Sequence, residues 1–90
     1  NVDDSLLVDC DYCKIVFSSN LDEVAIKKLN QIIENDTNIK KILRYSDDGY
    51  FNEMTLSVSF ANINKLNDFK NNLKNIDKDI KINYLSSVNV

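Results

Sequence analysis

Two hydrophobic periods alternate along this chain, and they predict its elements. In Cys13-Lys14-Ile15-Val16-Phe17 one side of an extended backbone carries Cys13, Ile15 and Phe17, and the other carries Tyr12, Lys14 and Val16. That is the two-residue period of a half-buried strand. The apolar stretch Leu6-Leu7-Val8 leads into it. The same period returns where Met54, Leu56, Val58 and Phe60 alternate with Thr55, Ser57, Ser59 and Ala61, and again, briefly, in Ile80-Lys81-Ile82-Asn83-Tyr84. Between these segments the spacing changes. Leu21, Ala25, Leu29 and Ile32, flanked by Ile26 and Ile33, form one helical stripe, and Ile63, Leu66, Phe69, Leu73 and Ile76 form a second. Such stripes mark amphipathic helices that bury one face.

Punctuation between the elements agrees with this reading. Ser18-Ser19-Asn20 offers side chains that cap free helix amides, followed by Asp22 and Glu23 where the helix dipole favours negative charge. Asn35-Asp36-Thr37-Asn38 ends the first helix, Asn62 caps the second, and Asp77-Lys78-Asp79 closes it. Ile39 to Tyr45 reads as a further strand with two open registers. Either Ile39, Leu43 and Tyr45 face the core, with Lys41 among them, or Ile42 does. Asp48-Gly49 between apolar runs predicts a hairpin with positive φ at its two central residues. Leu85 to Val90 reads as a polar-apolar tail. The order is βαββαβ, an α+β, ferredoxin-like sandwich. Right-handed crossovers then give a four-stranded antiparallel sheet in the order 4-1-3-2, with both helices on one face.

Composition narrows the picture. Ninety residues at 43% hydrophobic suit one domain over 1–90, with its core between about 10 and 85. One glycine and no proline leave little room for irregular backbone. The first residue is Asn1 and the only methionine is Met54, so the chain is expected to be a piece of a longer protein. No run of about 18 apolar residues exists, so this segment is not expected to insert in a membrane. A net charge of −3 argues against nucleic acid as partner, since phosphate neutralisation needs a basic surface.

Candidate chemistry is sparse. Cys10-x-x-Cys13 could be half a zinc site, a redox pair or a metal-transfer loop, but the chain has no histidine and no second cysteine pair. In a regular strand residues three apart point to opposite faces and lie about 10 Å apart. A disulfide needs Cα atoms within about 7 Å. Cys13 is therefore expected in the core and Cys10 as an incidental surface or edge thiol. Heavy-metal-associated domains share the βαββαβ order but carry their cysteines in the loop after the first strand, which here is Ser18-Ser19-Asn20. Asp3, Asp4, Asp9 and Asp11 lack the spacing of a calcium loop and read as a solvated acidic lead-in. Without histidine, a glycine-rich loop or an arginine in the phosphate position (Arg44 is in the second strand), no catalytic site is expected, and no cofactor.

The sheet face without helices is then the place to seek interactions. Alternation puts Tyr12, Lys14, Val16, Thr55, Ser57, Ser59, Lys81 and Asn83 there, joined by Lys40, Ile42 and Arg44 if Ile39, Leu43 and Tyr45 point inward. RNA-recognition domains of this topology stack bases on aromatic rings at this face, where this chain has Thr55, Ser57 and Ser59.

The order βαββαβ, the capped loop Ser18-Ser19-Asn20 and the strand Met54-Thr55-Leu56-Ser57-Val58-Ser59-Phe60 together resemble an ACT-type regulatory domain. They are similar in particular to the soluble C-terminal domains of some bacterial membrane proteins, including the MgtC type. ACT domains that bind amino acids often have glycine in the loop after the first strand, and this chain has none. The resemblance implies a cytoplasmic, non-catalytic regulatory or interaction module of a larger protein. Its expected partners are a second copy or another domain of the parent, and the resemblance leaves room for a small-molecule ligand. Metal or thiol handling by Cys10 and Cys13 is the alternative, and nucleic-acid binding through the open face a further one.

Overall fold

The structure, a computed structural model, describes residues 6–89. The elements are β1 (Leu7–Ser18), α1 (Glu23–Asp36), β2 (Asn38–Asp47), β3 (Phe51–Phe60), α2 (Ile63–Ile76) and β4 (Lys81–Asn89). Their strands form one antiparallel sheet in the order β2-β3-β1-β4, the expected topology. The reading of Asn1 to Ser5, Asp3 and Asp4 included, as an acidic lead-in lies outside the described residues.

Both helices start on a side-chain cap. Asp22 Oδ1 accepts the Ala25 N–H at 2.7 Å, and Asn62 Oδ1 accepts that of Lys65 at 3.0 Å. The first cap is thus Asp22 rather than Ser18, Ser19 or Asn20, because the chain needs those residues to leave β1 and cross to the helix layer. Leu29 and Ile33 of α1 and Leu66, Phe69 and Leu73 of α2 are buried against the sheet. Phe69 meets Phe60 of β3 with ring centroids 5.3 Å apart and tilted by 53°. Fully burying a side chain of this size contributes about 1.5–3 kcal/mol, so this helix–sheet layer dominates stability.

A bulge in β1 overturns the simple alternation. Cys10 lies opposite Val58 and Cys13 opposite Leu56, so three steps on β1 match two on β3. The same extra residue appears against β4, between Asp9 and Tyr12. One inserted residue shifts the pleat by one. Val8 and Cys10 consequently share the core face with Cys13, Ile15 and Phe17, and all five are buried. The expectation that Cys10 is a surface or edge thiol is wrong for this reason: it is 0% exposed, and Cys13 1%.

β2 bulges twice. Ile39 pairs with Val58, Lys41 with Ser57, Ile42 with Leu56, Arg44 with Thr55 and Tyr45 with Met54, leaving Lys40 and Leu43 as the extra residues. Neither register expected from the sequence holds as stated. Ile39, Ile42 and Tyr45 all lie on the helix side although they are three apart in sequence, because each bulge absorbs one residue. None is covered, and Ile42 remains 65% exposed.

The hairpin forms at Asp48-Gly49-Tyr50, and Gly49 alone has positive φ, at +89°. The connection is three residues long, so the two-residue turn with both centres at positive φ does not occur. Asp48 Oδ1 accepts the N–H groups of Tyr50 and Phe51, each at 2.8 Å, and Asp47 Oδ1 accepts that of Gly49 at 2.8 Å. Leu85 to Asn89 is no tail, and Val90 lies outside the described residues. That segment continues β4 by pairing with Leu7 to Tyr12 of β1.

Candidate functional site

Antiparallel pairing brings three connections to one end of the sheet. β1 finishes beside the start of both its neighbours, with Ser18 opposite Phe51 and Val16 opposite Lys81. The loop entering α1 and the loop leaving α2 therefore flank one cleft of about 510 Å³. Val16, Phe17, Leu21 and Phe51 give it an apolar lining, and Ser18, Asn20, Asp77, Asp79 and Lys81 give it polar groups. Its walls are tied. Ser19 donates its N–H to the Tyr50 carbonyl at 3.0 Å and its hydroxyl to Asp47 Oδ1 at 3.1 Å. The Ser18 hydroxyl accepts the Asn20 N–H at 3.1 Å, and Asp77 Oδ1 accepts that of Asp79 at 3.0 Å. Among the described residues, neither the Asp79 carboxylate nor the Lys81 ammonium is committed to an ion pair. An apolar cleft with charges of both signs at its mouth suits a small amphiphilic molecule. Sequence reasoning assigned Val16 and Lys81 to the open face and missed Leu21, Phe51, Asp77 and Asp79. The signal was the topology itself, which places the end of β1 beside the start of β4.

Pairing register puts Tyr12, Lys14, Val16, Thr55, Ser57, Ser59, Lys81 and Asn83 on the side of the sheet away from the helices. Lys41 and Arg44, opposite Ser57 and Thr55, join them, but Ile42 does not, because the bulges turn it to the helix side. Lys14 pairs with Glu53 at 3.0 Å, and Lys40 reaches Asp9 and Asp11 at 3.2 and 3.1 Å. Those two carboxylates, Asp11 foremost, hold the Lys40 ammonium above the usual lysine range by accepting its hydrogen bonds. Long side chains thus overlie the middle strands, and Thr55 and Ser59 are only 6% and 4% exposed. The exposed rings on this face, Tyr12 and Phe51, stand opposite Leu85 and Ser18, near its two ends. Contiguous base stacking needs rings side by side, which this arrangement does not supply.

The cysteine pair is chemically quiet. Both thiols are free and buried. Burial pushes Cys13 up to about 12, helped by Cys10, and raises Cys10 as well, where the charges of Asp9 and Asp11 add to burial. A thiolate is the nucleophile and metal ligand, so these protonated thiols suit neither task. Among the described residues, no three Cys, Asp or Glu side chains converge as a metal site.

Comparison with solved structures places this architecture. The crystal structure of the ACT domain from GTP pyrophosphokinase of Chlorobium tepidum superposes with a TM-score of 0.65 at 17% identity, over 89% of this chain and 99% of that one. The fold is that of an ACT-like, ferredoxin-like domain. The solution structure of the same domain gives 0.60 at 18% identity, over 87% of this chain and 84% of that one. A de novo designed protein, Foldit4, gives 0.53 at 10% identity, over 94% and 99%. No family model matches the sequence, and no curated protein matches it. A designed chain with the same topology is a reminder that this likeness concerns fold, and function has to be argued from the site. No helix among the described residues is long and apolar enough to cross a membrane.

Proposed function

We propose that this chain is a regulatory, ligand-sensing module of a larger bacterial protein, working in the cytoplasm and carrying out no chemistry of its own. The cleft carries the reading. A small zwitterion would meet the Lys81 ammonium with its anionic group, Asp79 with its cationic group, and Phe17, Leu21 and Phe51 with its apolar part. The missing loop glycine matters less here, since recognition by these side chains needs no close backbone approach. Because the cleft joins the β1–α1 loop, the α2–β4 loop and the hairpin, a ligand stabilises all three together, and that is how binding reaches the rest of the parent protein. The ACT-like fold supports a regulatory role, and the MgtC-type resemblance supports a parent that sits in a membrane. Interaction with another domain is supported by Ile39, Ile42 and Tyr45, an apolar row beside α1 that this chain leaves uncovered.

Thermal unfolding in the presence of the amino acids and related zwitterions tests the reading. Binding to the folded state alone adds about 2.7 kcal/mol at a ligand concentration of 100 Kd. The expected result is a rise in Tm for one chemical subset, lost in Asp79→Asn and Lys81→Met. No rise with any of them, under conditions where the chain is folded, overturns it.

A further inference from the structure

The bulge in β1 does more than bury Cys10. Cys10 stands opposite Val58 and Cys13 opposite Leu56, while Asp11 and Tyr12 between them face the single residue Ser57. Four residues of β1 therefore span the length that three span on β3. Residues two apart on a strand lie about 6.4–6.8 Å apart along it and point to the same face. The bulge gives Cys10 and Cys13 that relation although they are three apart in sequence. Both side chains enter one core cluster, at 0% and 1% exposure. A second sign of proximity is electrostatic, since Cys10 pushes up the Cys13 thiol through space. The wider spacing that forbids a bond in a regular strand does not hold here, and cysteines are bridged at Cα separations of about 4.4–6.8 Å.

We infer that Cys10 and Cys13 are an oxidation site, at which an intrachain disulfide closes across the bulge inside the folded core. The oxidant is of the class of small disulfides. One cysteine, as thiolate, attacks a sulfur of the reagent and displaces its first thiolate. The other cysteine, as thiolate, attacks the protein sulfur of that mixed disulfide and displaces the second. One S–S bond of the reagent breaks and one forms in the protein. The two cysteines lose two electrons, the reagent gains them, and its two thiolates take up the two cysteine protons. Buried and protonated, the pair does not react while β1 is closed. The way in is the bulge, where an unpaired residue already interrupts the ladder on both sides. Once formed, the bond ties the two ends of the bulge together. β1 can then no longer slip by one residue, a slip that would turn Val8 and Cys10 out of the core. Oxidation thus fixes Leu7 to Asp9, the residues that hold Ser87 to Asn89 of β4.

Equilibration of the full chain in mixtures of oxidised and reduced glutathione tests this, read by mass spectrometry after acid quenching and by circular dichroism. The chain should lose two hydrogens without gaining glutathione, and should keep its folded spectrum. Its equilibrium constant for closing should be at least tenfold higher than that of the same chain in denaturant, because the fold holds the thiols at bonding distance. A control locates the bulge. In the double variant Cys13→Ser, Tyr12→Cys the two thiols are two apart in sequence but on opposite faces, so folding should lower its closing constant. The inference falls if the native constant does not exceed the denatured one, if the oxidised chain is unfolded, or if the folded control closes as readily as the native pair. The readout is independent of the cleft, whose lining contains neither cysteine.

Discussion

β2 and β4 each leave one hydrogen-bonding side of the sheet free, yet they are built differently. β2 carries Lys40, Lys41 and Arg44 within ten residues and is bent by two bulges, at Lys40 and Leu43. β4 has one cation in nine residues and no bulge. Lysine and bulges on an edge prevent strand addition, because they charge it and break the spacing of its donors and acceptors. The edge that looks stickier by apolar content, with Ile39, Ile42, Leu43 and Tyr45 exposed, is thus closed to strands and open only to side-chain packing. The plainer edge is the one a strand can extend. Apolar exposure and backbone regularity are separate properties, and they select different kinds of partner.

That comparison has consequences that can be measured. The largest effect should come from the layer behind the edges. Leu73 and Ile80, both 0% exposed, anchor α2 and the start of β4, whereas no β2 residue is buried. Leu73→Ala and Ile80→Ala should each cost about 2–5 kcal/mol in denaturant unfolding. Ile39→Ala and Ile42→Ala should stay within about 1 kcal/mol, as exposed substitutions do. Equal costs would mean that β2 is covered after all.

A change of partner choice should follow from straightening β2. Deleting Lys40 and Leu43 together removes both extra residues while leaving Ile39, Ile42 and Tyr45 opposite their present partners. The deletion variant should gain association at β2, seen in sedimentation as species larger than those of the unaltered chain and as new fibrillar or oligomeric material. Unchanged association would show that the charges of Lys41 and Arg44 suffice without the bulges.

The smallest and most local effect concerns pH. Burial raises both cysteines, so the folded state retains thiol protons that the unfolded chain gives up near its ordinary value of 9.0. Their contribution is fully present below that pH and is lost as pH rises toward about 12, the position of Cys13 in the fold. Asp48 acts in the opposite direction. Hydrogen bonds from Phe51 and Tyr50 lower it, so its contribution is present above the carboxylate range and lost as pH falls through its depressed value. Cys13→Ala should flatten the alkaline limb and Asp48→Asn the acid limb of a stability–pH profile, and a disulfide-exchange reagent should label both native thiols only through opening of the fold.

Most of the fold was legible in the sequence because its signals are local. Helix stripes, the Asn62 cap, the Gly49 turn and the Met54–Phe60 alternation each depend on residues within a few positions of one another. The bulges were not legible, because none carries a glycine and nothing near Asp11, Lys40 or Leu43 distinguishes an inserted residue from a paired one. Only the partner strand defines the extra residue, and that one-residue shift carried Cys10 into the core. Leu85 and Val88, three apart, belong to opposite faces, so the last half of β4 lacked the period-two signature that a single-faced strand shows. Of the candidate surfaces, the open face followed from alternation, but the cleft did not, since it is assembled from loops distant in sequence.

Leu7 and Asn89 are paired neighbours at one end of the sheet, on the central strand and the edge strand respectively. A load applied through both would act across the ladder, perpendicular to the strands, and would open β1–β4 one bonded pair at a time. Ladders loaded along their strands must break many bonds together, whereas this one would unzip at low force, starting with Val88 and Leu85 and reaching Lys81 last. A pull applied at those two residues would consequently separate the free edge first and leave the cleft until the end.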